Sequence, residues 1–296
     1  MHKKSQINYI QLLIIALIFL IIALPLYFKV KKEAEDSARL TQCKASVESN
    51  ARLHLSGLDF SKNIQCPAKE LTIKTKDQTE IKRTLANEMV ECWDIFKKGE
   101  ADLFSGEGTF CAICSRIDFK NKESEVIGFS KFLAETTKPK SDQTYLAYLN
   151  KYSTDEAYRV LEKQPTQYNL EEESFPTNKD YAVIFVYAKG KNSIEKLAKF
   201  LSAQTTAGKI GYTAAGVSVA AGGVGVGLAA FGILSNPIGW AIGIAGGIAA
   251  VGSLTISFFL DPENVPEWTA LTMFSEYSEE RLKQEIGCSY LPVEQS

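Results

Sequence analysis

The sequence predicts an α+β extramembrane domain carried by an N-terminal transmembrane helix and interrupted by a C-terminal glycine-rich transmembrane helical hairpin. Two observations carry most of this. Residues 5–28 and 210–260 hold no charged side chain, and all 33 basic and 35 acidic residues crowd into what remains. A third is that the charged remainder alternates between helical and strand periodicity. The expected organisation is a short tail at 1–8, an anchor helix at 9–28, the extramembrane domain at 29–208, hydrophobic helices at 210–234 and 238–260, and a tail at 261–296 that packs on the domain.

The anchor is the strongest element. From Leu12 to Leu24 every residue is Leu, Ile or Phe except two alanines. Those side chains favour the bilayer by about 3 to 6 kcal/mol on the insertion scale. The uncharged run from Ser5 to Phe28 covers the roughly 20 residues a span requires. Tyr9, Tyr27 and Phe28 stand where an interfacial belt belongs, and Lys29, Lys31 and Lys32 stop the segment. The alternative, a cleaved secretory signal, needs a shorter apolar core followed by small residues, whereas Pro25-Leu-Tyr-Phe-Lys29 follows here.

Within the domain, Thr79 to Lys98 places Ile81, Leu85, Met89, Cys92 and Phe96 at helical spacing, with Gly99 as the stop. Thr109 to Phe119 alternates as a strand, with Cys111, Ile113, Ile117 and Phe119 expected on one face. Short helices are expected at 125–135 and 144–152, a strand at 181–188 and a helix at 194–202. After the hairpin, a strand at 268–274 and a short helix at 279–285 complete the pattern.

The hairpin reading rests on 51 uncharged residues between Lys209 and Asp261, broken near the middle by Ser235-Asn236-Pro237. An Asn-Pro pair favours a turn, and proline ends the preceding helix. Twelve of the 20 glycines lie here, with Gly223 and Gly227 in the first half and Gly239, Gly243 and Gly247 in the second. Four-residue spacing aligns them on one helical face, where neighbouring backbones can pack closely within the chain or between copies. In water such a helix would lose up to about 1 kcal/mol per interior glycine relative to alanine. Lipid or tight packing must therefore surround it. Alternatives are a buried soluble hairpin or a glycine-rich loop, and a membrane-inserting hairpin of the kind pore formers use.

Cys43, Cys66, Cys92, Cys111, Cys114 and Cys288 are disulfide candidates. Six cysteines allow fifteen pairings, and spacing does not choose among them. Cys111-Ala-Ile-Cys114 invites a redox reading, but a redox pair works best at a helix N-terminus. On a strand, positions three apart face opposite ways, so the two sulfurs would take different partners. Zinc needs a second close pair of ligands, and none of the other cysteines has a near neighbour.

No cofactor or metal is expected, and the chain does not read as an enzyme. Of the two histidines, His2 precedes the membrane and His54 stands alone, so a serine or cysteine hydrolase arrangement cannot be assembled. Glu171 to Glu173 reads as a solvated turn, and Gly106 to Gly108 lacks the Lys-Ser/Thr of a phosphate loop. A net charge of −2 without long basic runs excludes a nucleic-acid footprint. The expected partners are membrane lipid and a second copy or another envelope protein.

Sidedness is contested within the sequence. Lys29, Lys31, Lys32 and Arg39 follow the anchor, which by positive-inside counting places the domain in the cytoplasm. A short N-terminal tail before an apolar helix, together with six cysteines, argues for an oxidising extracytoplasmic location, the preferred reading.

Two resemblances accompany these readings. Lys3-Lys4-Ser5-Gln6 before an apolar helix resembles the archaeal pilin-type signal in degenerate form, with Ile10 where that signal has an acidic residue. In its Cys92-Trp93 helix, Cys-x-x-Cys strand and Gly-Cys288 tail, the chain resembles uncharacterised membrane-anchored envelope proteins of small-genome archaea. That resemblance implies an envelope binding or assembly component and brings no activity with it. The alternatives are a thiol-disulfide oxidoreductase using Cys111 and Cys114, and a membrane-inserting protein using 210–260.

Overall fold

The computed structural model describes residues 9–54, 64–104, 106–150, 174–197, 232–234, 242–244 and 267–290. The chain divides into two units, Met1–Gln42 and Cys43–Ser296. In the first, helix α1 begins at Tyr9 and contains Pro25; it ends at His54. Leu12 to Leu24 are almost entirely exposed. Among the described residues this is the one helix long and apolar enough to cross a membrane.

The second unit is organised around a five-stranded sheet. Its strands are β1 (Lys69–Ile73), β2 (Gly108–Phe119), β5 (Tyr181–Lys189), β8 (Trp268–Glu276) and β9 (Cys288–Tyr290), in the order β1-β2-β5-β8 with β9 also on β2. β2, β5 and β8 run antiparallel, and β1 and β9 share the outer edge of β2 in parallel. All nine residues of β5 are buried, because it is central and covered on both faces.

Helix α2 (Gln78–Ile95) covers one face. Asp77 caps it, its carboxylate accepting from Thr79 N–H and Glu80 N–H at 2.7 and 3.0 Å. Phe96, at the end of α2, stacks on Phe185 with centroids 4.1 Å apart, and Trp93 lies 6.3 Å from the same ring. The opposite face packs Cys111, Ile113, Ile184, Val186, Leu271 and Met273 against Ile194, Leu197, Leu282 and Ile286. These last four come from helix α5, described over 191–197, and from α6 (Glu279–Arg281) with its π-helical continuation Leu282–Ile286.

A bulge in β2 corrects the expected facing. Ile113 pairs with Ile184 but Ser115 pairs with Val183, so Cys114 is the extra residue. An inserted residue reverses the alternation beyond it. Cys111 and Ile113 therefore face the α5 side, whereas Ile117 and Phe119 face the α2 side. There Phe119 joins Phe129, Phe175, Tyr181 and Phe274 in a ring cluster with centroids 5.1 to 6.4 Å apart.

Two more expectations need amendment. The helix expected over 125–135 is split into strand β3 (Glu125–Ile127) and helix α3 (Phe129–Glu135) by Gly128, at φ +65°. β3 pairs with β4 (Ser174–Pro176), while α4 spans Tyr145–Asn150. In the glycine-rich stretch, β6 (Gly232–Leu234) and β7 (Ile242–Ile244) form an antiparallel pair. At those six residues the backbone is extended where helices were expected. The rest of the expected hairpin helices lies outside the described residues.

Candidate functional site

The fold gathers chemically capable side chains in three places. The first is sulfur. Cys43 bonds to Cys66, Cys92 to Cys114 and Cys111 to Cys288. Cys111 and Cys114 thus have different partners, as expected for a strand, and they do not form the bond within the motif that a Cys-x-x-Cys redox centre cycles. Cys111 reaches β9 along the α5 face. Cys114, at the bulge, reaches α2. Cys43, Val47 and Asn50 lie on one helical face and are all buried, and Asn50 Nδ2 donates to Leu103 O at 2.5 Å.

The second place is a buried acid on α2. Glu88 is 8% exposed, and Lys69 Nζ of β1 donates to its Oε1 at 2.5 Å. Glu91 lies 3.9 Å from the same ammonium. Burial raises the Glu88 carboxyl above its ordinary range, against the hydrogen bond and charge of Lys69, which pull it down. Its contribution to stability is therefore greatest when protonated. The advantage is complete below about pH 4.5, the ordinary value, and disappears as pH rises through the higher folded-state value. Glu88→Gln is expected to remove this decline, so that denaturation midpoints measured from pH 4 upward fall less steeply than in the parent.

The third place is the corner where β5 and β8 meet. Lys189 Nζ donates to Asp102 Oδ2 at 2.6 Å and to Phe104 O at 2.9 Å. Tyr187 Oη donates to Asp102 Oδ1 at 2.5 Å, and Glu267 lies 3.4 Å from Lys189. Burial, reinforced by the Asp102 carboxylate, pushes the Tyr187 hydroxyl well above its ordinary pKa and keeps it a donor. Gly190 turns the chain out of β5 at φ +82°, and a Cβ there would fall 2.6 Å from Glu107 Cδ. Its N–H donates to Glu267 O at 3.0 Å, which ties the start of the β5–β8 connection to its end.

No protein-family model, curated protein or solved structure is similar to this chain.

Among the described residues, no group of three or more His, Cys, Asp or Glu is placed to hold a metal ion. His54 ends α1, Gly243 lies in β7 opposite Ile233, and His2, Gly223, Gly227, Gly239, Gly247 and residues 171–173 lie outside the described residues. Sequence reasoning missed Glu88, Lys69, Asp102 and Lys189. A signal was present for two of them. Glu88 occupies the inward stripe with Ile81, Leu85 and Cys92, and Lys189 ends an otherwise uncharged strand, YAVIFVYA. Charges in such positions call for buried partners.

Proposed function

We propose that this protein is a membrane-anchored cell-envelope component whose disulfide-bonded domain lies on the extracytoplasmic side and binds a partner or assembles with one. The observation that supports this best is that all six cysteines are closed in three bridges, a pattern at home in an oxidising compartment. It outweighs the lysines after the anchor, since positive-inside counting loses force for long translocated domains. The exposed apolar surface of α1 is suited to lipid. The charged cluster at Lys189 is consumed in internal ties, which fits a scaffold more readily than a reaction centre.

The closed corner at Gly190 and Glu267 bears on the glycine-rich stretch. A connection leaving and returning at one corner of a sheet crosses a bilayer an even number of times. The antiparallel pairing of β6 with β7 also reverses the chain between the two halves of the stretch. Both facts favour a two-crossing hairpin over a single span, with the glycine row at 223/227 as a packing face; Gly243 lies in extended β7, so 239/243/247 do not form a helical row.

Cysteine labelling in intact cells tests the placement. An impermeant maleimide is expected to label the protein only after an impermeant reductant has opened the bridges. Labelling that appears only after lysis would place the domain in the cytoplasm. Liposome leakage separates an anchor from a pore: conductance abolished by Gly243→Leu with Gly247→Leu would establish the pore.

A further inference from the structure

We infer that Cys92–Cys114 is a thiol-exchange site, opened by a dithiol partner that attacks the sulfur of Cys114, and that Glu88 supplies the proton taken up by Cys92 as it leaves. The three bridges are not equivalent. Cys43, Cys66, Cys111 and Cys288 are at most 7% exposed and Cys92 is fully buried, whereas Cys114 is partly exposed. Cys114 is also the extra residue of the β2 bulge, outside the regular ladder. Of the two ends of this bridge, an incoming thiolate therefore meets Cys114 as the partly exposed one and Cys92 as the buried leaving group.

The surroundings of that leaving group are built for it. Glu88 stands one helical turn before Cys92, on the same face of α2. Among the described residues, the charges that act on Glu88 are Lys69, hydrogen-bonded to it, and Glu91, and burial favours the protonated acid.

The steps balance. A partner thiolate bonds to Cys114 Sγ, the Cys92–Cys114 bond breaks, and Cys92 departs as a thiolate that takes the Glu88 proton. The partner's second thiol then attacks its own bonded sulfur as a thiolate, and the partner leaves as a cyclic or internal disulfide. Cys114 is released as a thiolate and protonated from water, and Glu88 recovers its proton from water. Cys92 and Cys114 are reduced by two electrons and the partner dithiol is oxidised by two. The freed Cys114 cannot readily scramble the Cys111–Cys288 bridge, because the bulged strand directs these two residues to opposite faces.

The full-length protein in detergent micelles, first shown by intact mass to carry three bridges, is titrated with dithiothreitol, alkylated and mapped by peptide mass. Cys92 and Cys114 are expected to be alkylated at dithiol concentrations at least about tenfold below those that open the other two pairs. Another bridge opening first, or all three opening together, overturns the assignment. For Glu88→Gln, the ratio of reduction rates to the parent is expected to fall severalfold at low pH and approach one at high pH. A ratio that does not change with pH removes Glu88 from the step.

Discussion

Replacing Cys111 and Cys288 together by alanine is expected to destabilise the Cys43–Ser296 unit by about 5 kcal/mol, the largest loss from any single bridge. The bridge joins residues 177 apart, against 22 and 23 for the other two. Loop-closure entropy rises with the logarithm of that separation, which puts the shorter bridges near 3 kcal/mol each. Alanine at both sites avoids a lone thiol and a buried hydroxyl. Urea denaturation of the detergent-solubilised protein measures the difference, and a loss no greater than for the Cys43/Cys66 double variant would contradict the entropic account. β9 meets β2 at only Thr109 and Phe110, so the bridge also holds the last strand in place. Faster proteolysis beyond Glu276 is expected in the same variant.

Breaking the corner pair is the second large effect. The Lys189 and Asp102 side chains are 8% and 16% exposed, so neither charge is well hydrated once its partner is gone. Asp102→Ala leaves the ammonium with Phe104 O and the outlying Glu267. Lys189→Met leaves the carboxylate with the Tyr187 hydroxyl. Each is expected to lower stability by about 3 to 5 kcal/mol, the usual loss when one half of a buried pair is removed. Lys189→Met combined with Asp102→Ala should lose clearly less than the sum, because no orphaned charge of the pair remains. Thermal denaturation of the four proteins completes the cycle, and simple additivity would show that the two groups are not coupled. Because Gly190 and Glu267 close the same corner, the single variants are also expected to expose the 190–267 connection to protease.

Much of the fold was legible because it depends on local pattern. α2 was recognisable from the spacing of Ile81, Leu85, Met89 and Cys92, and β5 from an uninterrupted apolar run. The short strands β1, β4 and β9 were not, since five or three residues such as KELTI carry too little periodicity to be told from a loop. Their partners, distant in the chain, make them strands. The facing of Ile117 and Phe119 was misjudged for a related reason. A bulge leaves no mark in the alternation of one strand and is defined only by the register of its neighbour β5.

The sites show the same division. By itself the sequence determined that α1 is apolar enough to enter a bilayer, that 210–260 is uncharged, and that Cys111 and Cys114, on a strand, take different partners, because composition and side-chain periodicity are properties of the chain alone. Only the tertiary structure decided which partners they take, that Glu88 meets Lys69, that Lys189 meets Asp102, and that the 190–267 connection begins and ends at one corner. Those pairings are set by sheet register and by burial shared between distant segments, neither of which is encoded at any single position.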